Sequence, residues 1–275
     1  MTSPRDDLPA LDVVVARLRA AGCVFAEDEA ALLLAAAATS SDLEDMVGRR
    51  VAGFPLEPIL GWAELCGVRV AVDPGVFVPR ARTALLVEEA ARLAPRSPVV
   101  VDLCCGSGAL GVALAHLLGT APTSSRRPDL TLWASDVEPA AVACARRNVE
   151  PLGGHVVEGD LDASLPDHLA RRVDLLLANV PYVPTDAIAL MPPEARDHEP
   201  AVTLDGGADG LDVLRRVAAA APRWLAPGGH VLVEASTGQV PDAVAAFEHH
   251  GLTTRVVTDD ERGATVLVAR RTGTP

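Results

Sequence analysis

The sequence has few basic residues relative to acidic ones, and this shortage disfavours one class of partner. The 275 residues include 24 Lys and Arg against 37 Asp and Glu, a formal net charge of −13 that repels a nucleic-acid backbone unless a local basic patch overrides it. The few arginine pairs are scattered, so nucleic acid is a disfavoured partner. The acidic balance fits either a solvated surface or an attraction for a basic partner.

Cysteine and long hydrophobic runs are also scarce. Five cysteines without a CxxC pair argue against a disulfide framework and against structural zinc, so we predict no metal site. No apolar run long enough to cross a membrane is free of charge, and the acidic start MTSPRDDLPALD lacks the hydrophobic segment of a signal peptide. We therefore expect a cytoplasmic protein without a membrane span.

Hydrophobic residues make up 49% of the chain, enough for a large domain and a small one. Residues 8–52 have the helical spacing of Leu, Val and Ala, which predicts two or three short helices, with an N-cap at Ser41-Asp42. Residues 62–78 predict a β-hairpin around Gly67, followed by a turn at Asp73-Pro74-Gly75.

From Pro98 onward, apolar runs alternate with helical patterns, which is typical of βαβ units and a parallel sheet. Strands are predicted near residues 99–104, 130–135, 155–159, 173–179, 229–235, 253–258 and 264–270. Helices are predicted near residues 108–118, 138–149, 163–170, 210–224 and 239–250. Only DDERGA separates the last two strands, so they should pair as an antiparallel hairpin at one side of an α/β fold.

The same patterns divide the chain into three parts. A small helical domain is predicted over residues 1–75, ending in the hairpin, and a linker with a helical stretch over residues 76–97. The sheet domain is predicted over residues 98–275. Within it, TAPTSSRRPD (residues 120–129) predicts a flexible surface loop.

The segment VVVDLCCGSGALGVALA (residues 99–115) predicts a strand, a glycine-containing turn and a helix, which lets a ligand approach a helix N-terminus. Gly106 and Gly108 leave room for the ligand, and Ser107 can donate a hydrogen bond to it. Asp102, at the strand end, can take an amino group. A tight structural turn is the alternative, because a lone Gly-x-Gly is weak support for a binding site.

Two further strands end in acidic residues. TLWASD places Asp136 where a carboxylate can accept both hydroxyls of a ribose, although Asp136 can instead cap the helix that follows. VVEGD places Asp160, with Leu161 beside it, where it can accept a hydrogen bond from an adenine amino group. No GxxxxGK[ST] loop for ATP is present, and three acidic strand ends around one turn favour S-adenosylmethionine.

The segment DLLLANVPYVPT (residues 174–185) brings Asn179 to the same edge, followed by residues that continue neither a helix nor a central strand. An amide or exocyclic amine nitrogen has a delocalised lone pair, so an acceptor of this kind must have its N–H groups fixed. Asn179 Oδ1 and the Val180 carbonyl can accept them, Pro181 stiffens that carbonyl, and Tyr182 offers a flat face. A turn cap at Asn179 is the alternative.

Taken in order, these segments resemble a known family, the class I S-adenosylmethionine-dependent methyltransferases of the glutamine-N5 type, which methylate the GGQ glutamine of peptide chain release factors. The likeness rests on RRVAGFPLEPILGWAEL (49–65), VFVPRART (76–83), DLCCGSG, ASDVEPAAVACARRN, EGD, ANVPY, HEPAVTLDGGADGLDVLRRV (198–217), LAPGGHVLVEASTGQ (225–239) and the closing hairpin. The resemblance implies a seven-stranded, Rossmann-like methyltransferase sheet with an antiparallel last strand. It also implies that the N-terminal helical domain reads a protein substrate.

The resemblance implies site residues as well. Those implied for cofactor binding are Asp102, Cys104, Cys105, Gly106, Ser107, Gly108, Asp136, Asp160, Leu161 and Asn179. Those implied for the acceptor chemistry are Asn179, Val180, Pro181 and Tyr182. Glu199 and Pro200 look like the family's Glu-Pro in a loop over the acceptor site. We expect a monomer that uses S-adenosylmethionine, forms S-adenosylhomocysteine and methylates a protein such as a release factor.

The chain departs from the family pattern at three places. Val180 replaces the first proline of Asn-Pro-Pro-Tyr, Cys104 replaces the first glycine of the cofactor loop, and Ala81-Arg82-Thr83-Ala84 replaces Pro-Glu-Thr-Glu. These departures leave open an adenine-N6 or small-molecule N-methyltransferase, and a catalytically silent binding module. We interpret Cys104 and Cys105 as small core residues, because a disulfide between adjacent cysteines is strained.

Overall fold

The computed structural model describes residues 8–119 and 129–273, so nearly all of the loop predicted at residues 120–129 lies outside the described residues. The α-helices of these ranges are α1 (Leu11–Ala20), α2 (Ala26–Ala36), α3 (Ser40–Val51), α4 (Leu56–Leu60), α5 (Ala84–Leu93), α6 (Ala109–Leu117), α7 (Pro139–Val149), α8 (Pro193–His198), α9 (Asp212–Trp224) and α10 (Val240–His249). The strands are β1 (Trp62–Leu65), β2 (Val68–Ala71), β3 (Val99–Leu103), β4 (Thr131–Asp136), β5 (His155–Glu158), β6 (Val173–Ala178), β7 (Leu225–Glu234), β8 (Leu252–Asp259) and β9 (Ala264–Arg271).

Helices α1 to α4 form a small unit with an apolar core of its own, which includes Val14, Leu18 and Leu33. Helix α3 begins at a capping box in which Thr39 Oγ1 accepts the Asp42 N–H at 3.1 Å and Asp42 Oδ2 accepts the Thr39 N–H at 3.1 Å. The predicted N-cap at Ser41-Asp42 is therefore wrong, because the earlier Thr39 satisfies the first free N–H groups of the helix.

The hairpin β1–β2 is confirmed, and it turns at Cys66 and Gly67, which both have positive φ (51° and 77°). The Asp73-Pro74-Gly75 turn is also present, with the Val76 N–H bonded to the Asp73 carbonyl at 3.1 Å. Apolar residues of the hairpin pack into the core of the large sheet and not into the core of the α1–α4 unit. The hairpin therefore belongs physically with the sheet.

The seven-stranded sheet has the order β5-β4-β3-β6-β7-β9-β8. All pairs from β5 to β7 are parallel, whereas β9 is antiparallel to both β7 and β8. The predicted sheet and its antiparallel end are thus confirmed. Because parallel strands end at the same edge, β3, β4, β5 and β6 deliver their last residues to one crevice.

Helices on both faces of the sheet enclose two apolar cores. The helix predicted at residues 163–170 is wrong, because only a single 3₁₀ turn, Asp167–Leu169, forms there. Pro166 precedes that turn, and a proline in this position cannot donate the N–H that a continuous helix requires. Within the described ranges, the helices are too short or too polar to cross a membrane.

Candidate active site

An open cavity lies at the carboxyl edge of the parallel strands. Two groups of residues line it. The first, which we call the glycine-loop wall, consists of Cys104, Gly106, Asp136, Val137, Glu138, Ala141, Asp160 and Leu161. The second, the proline-tyrosine wall, consists of Phe77, Arg80, Arg82, Asn179, Val180, Pro181, Tyr182 and Val183. The loop over the acceptor site (residues 183–209), which we call the lid, contributes Met191, Val202, Thr203 and Leu204. The remaining lining residues are Gly75, Val76, Val213 and Arg216.

Close packing fixes the glycine loop. A Cβ on Gly108, which has φ +77°, would lie 2.7 Å from Val149 Cγ2, and a Cβ on Gly111 would lie 3.0 Å from the Leu132 methyl groups. Side chains at these positions would push α6 away from α7 and β4. Gly106 faces the cavity, whereas Cys105, Ser107 and Gly108 are not among its lining residues and support the loop from behind.

Asp136 lies on the glycine-loop wall, as predicted. Its Oδ2 accepts the Gly106 N–H at 2.8 Å and its Oδ1 accepts the Glu138 N–H at 3.0 Å, so the carboxylate ties the loop to the start of α7. Both interpretations of Asp136 are therefore compatible with its position, since each carboxylate oxygen can accept more than one hydrogen bond. Asp160 and Leu161 also line the cavity, and Arg216 Nη2 donates to Asp160 Oδ2 at 2.7 Å.

Asp102 lies behind the loop and is fully buried. Its Oδ2 accepts the Gly111 N–H at 3.1 Å, while Oδ1 has no hydrogen-bond partner in the described part of the chain. Burial raises the pKa of Asp102 from 3.8 to about 8. The structure thus presents Asp102 as a buried support of the loop, and its predicted contact with an amino group stays a prediction.

Cys104 and Cys105 are free cysteines. Burial, together with the nearby Asp102 and Asp136 carboxylates, raises the pKa of both thiols, which disfavours the reactive thiolate. These properties support our interpretation of the pair as small packing residues. Among the described residues, no group of His, Cys, Asp and Glu is arranged to hold a metal ion.

Asn179 follows β6 directly and lines the cavity. Its Oδ1 is buried and has no hydrogen-bond partner within residues 8–119 and 129–273. A buried acceptor without a donor is costly, which indicates that a bound group completes the site. Across the same described ranges, no protein donor bonds to the Val180 carbonyl. Both acceptor oxygens predicted from the sequence are therefore available.

Two glycines support Pro181 and Tyr182 from behind. A Cβ on Gly206 would lie 2.7 Å from the Pro181 carbonyl oxygen, and one on Gly210 would lie 2.3 Å from that of Tyr182. Gln239 Nε2 also donates to the Tyr182 carbonyl at 2.9 Å. Because Gly206 and Gly210 have no side chains, their segment packs directly against the backbone of Pro181 and Tyr182. Gln239, which follows β7, holds the same backbone through its hydrogen bond.

The Tyr182 hydroxyl takes part in a partly buried hydrogen-bond network. It donates to Glu234 Oε1 at 3.0 Å and accepts a hydrogen bond from Arg82 Nη2. Arg82 Nε donates to the same Glu234 oxygen at 2.7 Å, and Thr83 Oγ1 donates to Glu234 Oε2 at 2.8 Å. Burial and the Glu234 carboxylate raise the pKa of Tyr182 to about 12, so its hydroxyl stays protonated.

Glu199 and Pro200 do not line the large cavity. Glu199 Oε1 accepts hydrogen bonds from Arg80 Nη2 at 2.5 Å and from the Val78 N–H at 3.4 Å. Because Arg80 does line the cavity, Glu199 fastens the lid to the segment that carries the proline-tyrosine wall. Other residues of the predicted substrate loop, such as Met191 and Val202, line the cavity. A direct substrate contact by Glu199 or Pro200 remains a prediction.

Sequence reasoning missed four contributors: Phe77, Arg82, Glu234 and Asn148. Asn148, in the last turn of α7, donates through Nδ2 to the Ser107 carbonyl at 2.8 Å and to the Ala71 carbonyl at 2.9 Å. Its Oδ1 accepts the Ala71 N–H at 2.9 Å. It thereby joins the hairpin to the glycine loop. The available signal was a single Asn that ends an otherwise apolar helical face.

The glycine spacing alone does not identify the ligand, because Gly106, Gly108 and Gly111 also satisfy GxGxxG, the dinucleotide-binding pattern. Similarity to known proteins restricts the choice of ligand. The family described as "Methyltransferase small domain" matches residues 67–191. A crystal structure of a methyltransferase from Pyrococcus furiosus, 14% identical, shares the fold with a TM-score of 0.52 over 74% of this chain and 89% of its own. The fold of the chain is thus that of a methyltransferase.

A more similar relative gives the family. The release factor glutamine methyltransferase of Geobacter sulfurreducens is 39% identical over 230 residues, which cover 83% of this chain and 77% of the relative. The chain belongs to the release factor glutamine methyltransferase family. It is also similar to a 4-amino-L-phenylalanine/4-methylamino-L-phenylalanine methyltransferase of Streptomyces pristinaespiralis, at 34% identity over 212 residues that cover 74% of this chain and 69% of that relative.

Proposed function

We propose that the protein methylates the side-chain amide nitrogen of a glutamine in a protein substrate, and that this substrate is a peptide chain release factor. The observation that carries the proposal is the buried Asn179 Oδ1, which lacks a donor in the described chain and borders the cavity. A primary amide has two N–H groups, which match Asn179 Oδ1 and the Val180 carbonyl.

The glycine-loop wall fits S-adenosylmethionine. Gly106 brings bare backbone to the cavity, and Asp136 offers lone pairs for ribose hydroxyls beyond the two N–H groups that it already accepts. Asp160 and Leu161 would hold the adenine end, and Asp102 would support the loop from below. When bound, S-adenosylmethionine supplies a methyl group activated by a positively charged sulfur, and S-adenosylhomocysteine is the product.

The proline-tyrosine wall prepares the acceptor. Asn179 Oδ1 and the Val180 carbonyl hold the amide N–H groups, which keeps the amide plane fixed and leaves the nitrogen lone pair directed into the cavity. Both oxygens bind the N–H groups more strongly as positive charge develops on nitrogen. Tyr182 offers a flat face to the planar amide, and the lid excludes water.

We further propose the domain division 1–75, 76–97 and 98–275, with the first part reading the protein substrate and the chain acting as a monomer. Two adjacent apolar side chains on the α1–α4 unit, Val24 and Phe25, are 83% and 68% exposed, which suits contact with a protein. Because the hairpin packs into the sheet core, the recognition surface would lie on the helices that precede it.

The test is incubation of the purified protein with labelled S-adenosylmethionine and a purified release factor, followed by mass mapping of the labelled peptide. We expect the label on the GGQ glutamine and none on a release factor in which that glutamine is replaced by alanine. Label on other residues, on nucleic acid or on no macromolecule at all would reject the proposed acceptor.

A second candidate is N-methylation of an aromatic amine on a small amino acid. It is favoured by the relative from Streptomyces pristinaespiralis and by Val180, which departs from the proline of the family motif. An aryl amine also has two N–H groups and a planar ring that Tyr182 can face. This candidate would be favoured if 4-amino-L-phenylalanine is methylated while a release factor in the same assay receives no label.

A further inference from the structure

Arg82 occupies a position where the family pattern has an acidic residue, and in this chain it contacts the acceptor side of the cavity. Its side chain is 42% exposed, while its partner Glu234 is only 3% exposed. A buried carboxylate needs a positive partner and full hydrogen bonding, and Arg82 and Thr83 provide them. The pair is therefore part of the fold as well as of the cavity wall.

The same pair fixes Tyr182. The hydroxyl is held from two sides, because it donates to Glu234 and accepts from Arg82. The guanidinium carbon lies 5.8 Å from the ring centroid. At that distance, with its Nη2 bonded to the hydroxyl, the guanidinium lies beyond the hydroxyl edge of the ring. The Tyr182 side chain lines the cavity, so its ring can receive a planar group there.

Two departures from the family motif thus meet at one side chain. A proline at position 180 would fix its own φ and restrict Asn179, which would stiffen the backbone that leads through Pro181 to Tyr182, whereas Val180 does not. We infer that Arg82 is a positioning residue that replaces this lost backbone restraint by holding Tyr182 through its hydroxyl. The inference rests on the proposed function only in that Tyr182 faces the acceptor.

The test uses the fact that Tyr182 is the only tyrosine of the chain. Protein labelled with ¹³C-tyrosine gives one set of ring signals, which reports on the Tyr182 ring whether or not the acceptor is known. In Arg82→Ala we expect the signals to shift and ring flipping to accelerate. Arg262→Ala, which removes ion pairs with Glu88 and Asp259 away from Tyr182, is the matched control and should leave the signals unchanged. Unchanged signals in Arg82→Ala would overturn the inference.

Kinetics give a second readout, on whichever acceptor the wild-type protein turns over. Arg82→Ala should lower kcat about 10- to 100-fold through misplacement of the acceptor, with the cofactor Kd unchanged. Arg82→Lys, which keeps the charge beside Glu234 but not the second contact, should recover only part of the loss. Tyr182→Phe combined with Arg82→Ala should cost no more than the larger single loss. Additive losses would show that Arg82 acts by another route.

Restoring the family proline is the decisive step. The Val180 N–H makes no hydrogen bond within the described residues, so Val180→Pro removes no hydrogen bond. We expect the loss of rate caused by Arg82→Ala to be smaller in the Val180→Pro background than in the wild-type background. Equal effects of Val180→Pro in both backgrounds would contradict the inference. If no acceptor is methylated by the wild type, the proposed function fails, and the tyrosine signals alone decide the role of Arg82.

Discussion

The two walls of the cavity differ in how far their polar groups are satisfied within the protein. On the glycine-loop wall, Asp136 accepts two backbone N–H groups and Asp160 pairs with Arg216. On the proline-tyrosine wall, Tyr182 is fully engaged, but Asn179 Oδ1 has no partner among the described residues. The first wall is therefore largely complete without a ligand, whereas the second needs a donor from the acceptor.

The largest expected effect comes from Asn179→Ala, which removes the unsatisfied oxygen. We expect kcat to fall about 1000-fold, because a fixed hydrogen-bond partner of the reacting group is lost. The Kd for S-adenosylmethionine, measured by calorimetry, should change little. Asn179→Asp keeps an oxygen at the same place and should retain more activity than the alanine variant. A large loss of affinity for S-adenosylmethionine in both variants would contradict the assignment of Asn179 to the acceptor.

Asp136→Asn tests the other wall. Loss of the charged acceptor should raise the Kd for S-adenosylmethionine about 10- to 100-fold, the worth of a hydrogen bond to a charged group. At saturating cofactor, kcat should stay near the wild-type value, since the acceptor is held elsewhere. Calorimetry and saturation kinetics measure the two quantities separately. A normal Kd with a reduced kcat would contradict the assignment of Asp136 to the cofactor.

The buried Asp102 beneath the glycine loop should make the stability of the protein depend on pH. Because burial raises its pKa from 3.8 to about 8, the folded state holds a proton that the unfolded state has lost between these values. Its contribution to stability is thus full below the lower value and declines as the pH rises to the upper one. Melting temperatures of Asp102→Asn should fall less steeply with pH over this window than those of the wild type. Parallel slopes for both proteins would show that Asp102 is ionised throughout.

The smallest expected effect concerns strain in the loop. Cys104 has a positive φ of 52°, a conformation that costs a non-glycine residue about 1 kcal/mol. Cys104→Gly should raise the free energy of unfolding by up to about 1 kcal/mol, measured by denaturant titration. Cys104→Ala keeps the Cβ and the strain, so it is the control and should not stabilise. A glycine variant less stable than the alanine variant would contradict this account.

Much of the sheet was predictable because buried parallel strands are continuous apolar runs, such as VVVDL and VDLLLA. The helix predicted at residues 163–170 failed where Pro166 and a short polar stretch overrode helical spacing. Asp102 is fully buried behind the glycine loop and is not among the residues that line the cavity, and its predicted contact with an amino group stays a prediction.

Residues of the candidate site could be predicted where they stand in a short motif directly after a strand. Asn179 to Tyr182 form such a local motif, and they line the cavity together. Arg82 contacts Tyr182 across 100 positions and Glu234 across 152, so no local pattern could announce this network. The only hint was the change of Pro-Glu-Thr-Glu to Ala-Arg-Thr-Ala, which marked the place without indicating the partners.

The apolar core of helices α1 to α4 shares no residue with the two cores of the sheet. Selection can therefore alter those helices without disturbing the packing beneath the glycine loop. If these helices read the protein substrate as proposed above, a new substrate could be acquired through changes in them and in a few wall residues, while the cofactor site is kept. Such an architecture permits related proteins that catalyse the same reaction on different substrates.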